Sequence, residues 1–177
     1  MRFPETIETE RLLLRRWRED DAGALFRYAR DPRIGPRCGW KPHESEAESL
    51  EIIRDVLSTP MTYAVTVKGS DEAIGSVSFS PTSRPETMGH VELGYWLGAP
   101  HWGNGYMPEA ARAMLDMAFS LGAREIWVRH EADNHQSRRV IHKLGFTYRF
   151  RDTEWAEQLG RERDVWYYSL PREEQPE

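Results

Sequence analysis

Cys38 is the only thiol in this chain. With one cysteine no internal disulfide can form, and a thiolate metal cluster has too few ligands. A reducing, cytoplasmic compartment is therefore expected. The six histidines are scattered and none falls in a paired-ligand spacing such as His-Glu-x-x-His, so no metal is expected. No apolar run approaches the roughly 20 residues that span a bilayer, and no membrane partner is expected. Met1-Arg2-Phe3-Pro4-Glu5 has no apolar core of the signal-peptide kind. Positive charge is not in excess either. The formal net charge is -5, which argues against nucleic acid as the main partner. The common nucleotide-phosphate patterns are also missing. There is no Gly-x-x-x-x-Gly-Lys-Ser/Thr, and Gly-x-Gly-x-x-Gly is not completed after Gly103 and Gly105.

What is present is enough for a packed core. The 177 residues are 39% hydrophobic and 11% aromatic, as in a folded globular protein. One domain over 1–177 is expected, with its core at about 9–170. Arg11 to Trp17 reads as a first strand. Asp20 or Asp21 can cap a helix from Ala22 to Arg30, which Asp31-Pro32 ends. Arg33 to His43 is rich in Gly, Pro and Arg and reads as a long loop of the ligand-contacting kind. Ser45 and Glu48 form a capping-box pair, which predicts a helix to about Leu57. Thr62–Val67, Ala73–Ser80 and Gly89–Leu97 read as strands, with Gly94 as a candidate bulge.

Glu109 to Leu121 is the clearest helix. Ala110, Ala113, Met114, Met117, Ala118 and Leu121 fall three and four apart, and Gly122 is a natural stop. Glu125–Glu131 is a strand, and Asn134 opens a helix through about Leu144. Phe146–Phe150 and Val165–Leu170 are late strands, and the acidic run from Pro171 onward is expected to fray. Helices after strands one, four and five predict a mixed α/β sheet.

The most informative stretch is Trp102-Gly103-Asn104-Gly105-Tyr106-Met107-Pro108-Glu109-Ala110, just after the strand Glu92–Leu97. A strand ends, a two-glycine turn follows, and a helix begins. That order turns backbone N–H groups toward one point at the positive end of a helix, where a phosphate or pyrophosphate is held well.

The segment Glu92 to Ala110 resembles the acetyl-CoA loop of the GCN5-related N-acetyltransferase (GNAT) superfamily, Gln/Arg-x-x-Gly-x-Gly/Ala. Gly105 takes the invariant glycine place, while Trp102 and Met107 depart from the first and last positions. Tyr95-Trp96-Leu97 before Trp102-Gly103-x-Gly105-Tyr106 is similar to the RimJ/RimL-type branch. Asn134-His-Gln-Ser137-Arg-Arg-Val140-Ile-His-Lys143-Leu144-Gly145-Phe146 resembles that branch's Asn-x-x-Ser-x-x-Val-x-x-Lys-Leu-Gly-Phe. Thr9-Glu10-Arg11-Leu12-Leu13-Leu14-Arg15 resembles its first strand. The three motifs cover Thr9 to Phe146.

The resemblance implies an α+β fold with a mostly antiparallel mixed sheet of six to seven strands and about four helices. It implies transfer of an acetyl group from acetyl-CoA to a primary amine, either a protein N-terminus or a small molecule. Backbone groups of Tyr95, Trp96 and Leu97 would pair with the pantetheine arm. The N–H groups from Trp102 through Gly103, Asn104, Gly105, Tyr106 and Met107 would hold the diphosphate, provided the Met107 side chain turns into the core. Asn134 would bond the pantetheine or cap its helix. Arg138, Arg139 and Lys143 are candidates for the ribose phosphate.

Many members use a tyrosine in the last helix as the acid for the leaving thiolate, and here that position is Ile141. Ser137, one turn earlier, is the expected substitute. The base is Glu92, with His90 and Glu154 as alternatives. Tyr95, Trp96, Trp102, Tyr106, Trp155 and Trp166 read as core rather than as a ligand cage. Arg33 and Arg37 in the acceptor loop hint at an acidic or carboxylate-bearing acceptor. A homodimer is common in the family. The competing reading is a CoA-binding module without turnover, kept open by the missing helix tyrosine.

Overall fold

The computed structural model describes residues 3–82, 84 and 87–172. The acidic run expected to fray lies outside them beyond Arg172. Eight strands form one sheet in the order β1-β2-β3-β4-β5-β6-β8-β7. They are β1 (Thr6–Glu8), β2 (Leu12–Arg15), β3 (Thr62–Val67), β4 (Gly75–Pro81), β5 (Val91–Leu97), β6 (Glu125–Glu131), β7 (Thr147–Ala156) and β8 (Arg161–Pro171). All neighbours are antiparallel except β5 and β6, which run parallel. The helices are α1 (Ala22–Ala29), α2 (Gly35–Cys38), α3 (Glu46–Ile52), α4 (Tyr106–Ser120) and α5 (His135–Lys143).

Strand alternation sorts the side chains onto two faces. Leu12, Leu14, Val65, Val77, Leu93 and Ile126 point to one face, where Met107, Ala110, Ala111, Met114, Leu115, Ala118 and Phe119 of α4 and Ile141 of α5 cover them. The buried stripe of α4 is broader than the six-residue pattern: Ala111, Leu115 and Phe119 join it, while Ala113 and Met117 sit at its margin. On the other face α1 and α3 cover Ala64 and Ala73, with Trp17, Leu25 and Ile53 between. That cover stops near β5. Beyond it Trp127, Val165 and Tyr167 form a small apolar group of their own.

Several expectations change. The sheet has eight strands rather than six or seven, because β1 is an added edge strand, and β7–β8 is a longer hairpin than expected. The expected late strands, 146–150 and 165–170, are only its inner half. The Arg33–His43 loop contains the short helix α2. Ser45 caps α3 as expected, accepting from the Glu48 N–H at 3.0 Å. Asp21 does not cap α1 with its side chain. Its carboxylate is taken by the buried Arg15 guanidinium, at 2.7 and 2.8 Å. Trp155 is 58% exposed rather than core.

Candidate active site

The site begins where two strands part. β5 pairs with β6 at Val91–Ile126, Glu92–Trp127 and Leu93–Val128, and no further. Beyond Leu93, β5 stays in register with β4 through Leu97, while β6 stays with β8 through Glu131. Each strand follows its other partner, and the sheet twist separates them. The expected bulge at Gly94 is absent, since Ser78 and Gly94 pair in continuous register. The opening comes from divergence alone.

Ladder parity says which groups face the gap. The Gly98 N–H bonds the Ile74 carbonyl at 2.8 Å, so even-numbered β5 residues bond β4. The N–H and C=O of Tyr95 and Leu97 therefore turn toward the splay. Trp102 Nε1 donates to the Leu97 carbonyl at 2.7 Å, leaving both Tyr95 groups and the Leu97 N–H. Trp96 is displaced from its expected role: its backbone belongs to the β4 ladder. Its side chain packs against Trp17 and Trp40 on the opposite face.

Next comes the turn into α4. Gly103 and Gly105 have φ of 81° and 76°, left-handed values that side chains resist. With that backbone the N–H groups of Gly103, Asn104, Gly105, Tyr106 and Met107 make no hydrogen bond among the described residues. The Trp102 N–H is not among them, because it bonds the Ala99 carbonyl at 3.2 Å. Met107 is buried in the core, as the anion reading requires. The Asn104 side chain turns away and donates to the His101 carbonyl. Glu109 ties the loop to β2. It accepts from Thr9 Oγ1 at 2.6 Å and Arg11 Nε at 2.7 Å, and Arg11 Nη1 reaches the Asn104 carbonyl at 2.9 Å.

A cleft of about 700 Å³ runs from this turn along the splay to α2. From α5, Asn134, Ser137, Arg139 and Lys143 line it. Asn134 accepts from the Ser137 N–H at 3.2 Å and so caps the helix. Arg138 does not line the cleft, because its guanidinium lies over the Trp166 ring at 5.4 Å. Ile141 is fully buried, and no acid stands at that position. The Tyr95 hydroxyl instead reaches the Ser137 hydroxyl from the strand at 2.8 Å. Burial pushes the Tyr95 phenol well up, against the opposing pull of the Ser137 bond, so it stays protonated. Sequence reasoning used only the backbone of Tyr95; its odd strand position facing α5 is the signal that finds the side chain.

The far wall is polar. Glu92 lines the cleft and bonds Arg129 Nε at 2.8 Å. Burial raises the Glu92 pKa above the usual carboxylate value, and Arg129 opposes it. Arg129 Nη1 meets Glu154 at 2.6 Å, and Glu154 also takes the Tyr167 hydroxyl. His90 stands outside the cleft, 3.6 Å from Glu125. Arg163 lines the cleft on the same wall and is 9% exposed. Arg129 and Arg163 escaped the sequence reading. No group of three or more His, Cys, Asp or Glu among the described residues is placed to hold a metal. No helix among them is long and apolar enough to cross a membrane.

Residues 11–147 match the family model described as an acetyltransferase (GNAT) domain. The chain belongs to the GNAT family. The uncharacterized N-acetyltransferase p20 of Bacillus licheniformis is 30% identical over 176 residues, 96% of this chain and 98% of that one. The uncharacterized N-acetyltransferase YoaA of Bacillus subtilis is 27% identical, over 97% and 99%. A GNAT acetyltransferase structure from Bacillus anthracis superposes with a TM-score of 0.83 at 22% identity, covering 96% and 99%. Family and relatives together make this GNAT chain an N-acetyltransferase. The sequence reading of the family and of the mixed sheet holds.

Proposed function

We propose that this GNAT enzyme takes its acetyl group from acetyl-CoA and delivers it to a primary amine. The observation that carries the reading is the run of unpaired N–H groups from Gly103 to Met107 at the start of α4, beside an open strand edge. A diphosphate fits the first and an extended amide-bearing arm fits the second. Tyr95 N–H and C=O and the Leu97 N–H would pair with the pantetheine arm. Asn134 would face it from α5, and Lys143 and Arg139 would neutralise phosphate. The bound thioester supplies an activated acyl group and a thiolate leaving group.

The chain's own residues supply the proton handling. Glu92, ionised and held by Arg129, accepts the proton that an ammonium must lose before it can attack. The Ser137 hydroxyl stabilises the departing sulfur and passes it a proton from the Tyr95 phenol behind it, and the phenolate regains that proton from solvent once the thiol leaves. Such a pair replaces the helix tyrosine that Ile141 lacks. The Asn134-to-Phe146 pattern supports a RimJ/RimL-type member in this reading.

The test is calorimetric titration with acetyl-CoA, together with thiol release from acetyl-CoA across a panel of amines and peptide N-termini. Micromolar binding and amine-dependent release are expected. Absence of acetyl-CoA binding overturns the donor; binding without release from any amine favours a module without turnover.

A further inference from the structure

The cations of the cleft can be accounted for one at a time. Arg129 is shared between Glu92 and Glu154. Arg33 is engaged by Asp31 at 2.6 Å. Arg139 and Lys143 stand on α5, at the donor end. Two guanidiniums remain, and both are on the acceptor wall.

Arg163 is the more telling of the two. Its side chain is 9% exposed, and its Nε is buried without any hydrogen-bond partner. Its one approach to a carboxylate among the described residues is 3.5 Å, from Nη2 to Glu154 Oε2. That carboxylate already holds Arg129 and Tyr167. Glu131, a further acid lining the cleft, is held by Arg161 at 2.6 Å. Leaving a charged donor buried and unmet is costly, and Arg presents a planar fork suited to a carboxylate. Arg37 is the second. It lines the same cleft, and its guanidinium makes no ion pair or hydrogen bond among the described residues. Both guanidiniums lie close enough to the Cys38 thiol to bias it. Gly39 stands close against Arg163: a Cβ there would lie 3.0 Å from Cζ. That contact roofs the position, so it suits the end of a short molecule rather than a continuing chain.

From Arg163 the bonds run through Glu154 and Arg129 to Glu92, the proposed base. One end of the wall takes an amine, and the other offers positive donors. We propose that the acceptor is a small amino carboxylate, its amine at Glu92 and its carboxylate on Arg163 with Arg37 beside it. This rests on the acetyltransfer reading above.

The test compares free amino acids, α and ω, with their amides, which keep the amine and lose the negative charge. With the full chain and saturating acetyl-CoA, kcat/KM for the carboxylate should exceed that for the amide by about tenfold or more, mostly through KM. In Arg163→Gln the ratio should fall to within about twofold of one, and Arg163→Lys should recover part of it. Should Arg163→Gln not fold, Arg37→Gln should lower the same ratio severalfold. A parent ratio at or below one, or a ratio indifferent to these substitutions, overturns the inference. So does faster turnover of peptides with N-terminal Asp or Glu than of free amino acids. Acetyl-CoA titration separates the two failures: loss of that binding refutes the donor. Intact binding without turnover of any amino carboxylate refutes this acceptor alone.

Discussion

The Tyr95 hydroxyl and the Ser137 hydroxyl stand 2.8 Å apart, one carried by the strand that borders the splay and the other by the first turn of α5. They join the two elements between which the thioester arm is proposed to lie. If they act as one relay, Tyr95→Phe and Ser137→Ala should each lower kcat by about 10²-fold, the usual scale for a positioned acid. Acetyl-CoA affinity should move only a few fold. The double variant should be no slower than the worse single one, because members of one relay are not additive. Additive losses in steady-state kinetics would separate the two residues.

Glu92 gives a pH dependence with a definite sign. Burial holds its pKa above the ordinary carboxylate value, so the base is ionised only above that raised point. The kcat/KM profile should rise with pH through it and then level as far as Glu92 is concerned. Glu92→Gln should remove this limb and cost about 10²-fold at neutral pH. Arg129→Gln should shift the limb upward, since the Arg129 charge now favours the ionised form. A limb that survives in Glu92→Gln belongs to another group.

The proposed donor half of the site was legible in the sequence because it is local. Two glycines, a strand before them and a helix after them lie within about twenty residues, and the proposed contact is made by backbone N–H groups whatever side chains accompany them. Thr9 and Arg11 were legible as a motif but not as a device. Only the fold shows them clamping Glu109 at the start of α4. The proposed acceptor wall was hidden because β6 and β8 bring Arg129 and Arg163 beside Glu92 from 37 and 71 positions away. The β7–β8 hairpin was read too short for a related reason. Its outer half carries charges that pair across strands, such as Glu154 with Arg163 and Arg151 with Asp164, and so shows no apolar period.

Arg15 and Asp21 carry a stability prediction. They are 3% and 6% exposed and bonded twice, at 2.7 and 2.8 Å. Removing one partner strands the other charge in the interior, which costs about 3–5 kcal/mol. Asp21→Ala should therefore lower the melting temperature by roughly 10 °C for a chain of this size. Asp71, mostly exposed, also touches Arg15, and Asp71→Ala should cost far less. Thermal unfolding of the two variants side by side decides it: equal shifts would mean that the buried contact is not the anchor.

The α4 turn carries the last prediction. Gly105 sits at φ 76° at the helix N-cap, its C=O accepting the Glu109 N–H at 3.3 Å and its own N–H unpaired. A side chain here is strained by the left-handed backbone, and a Cβ would stand 3.4 Å from Arg11 Nη2. Gly105→Glu adds a negative charge where a diphosphate is proposed to bind, so acetyl-CoA affinity should fall more than tenfold by calorimetry. Gly105→Ala brings the strain without the charge and isolates it. Its affinity should fall less, at a stability cost of about 1–2 kcal/mol. If Gly105→Glu binds acetyl-CoA as tightly as Gly105→Ala, the unpaired amides are not the diphosphate cradle.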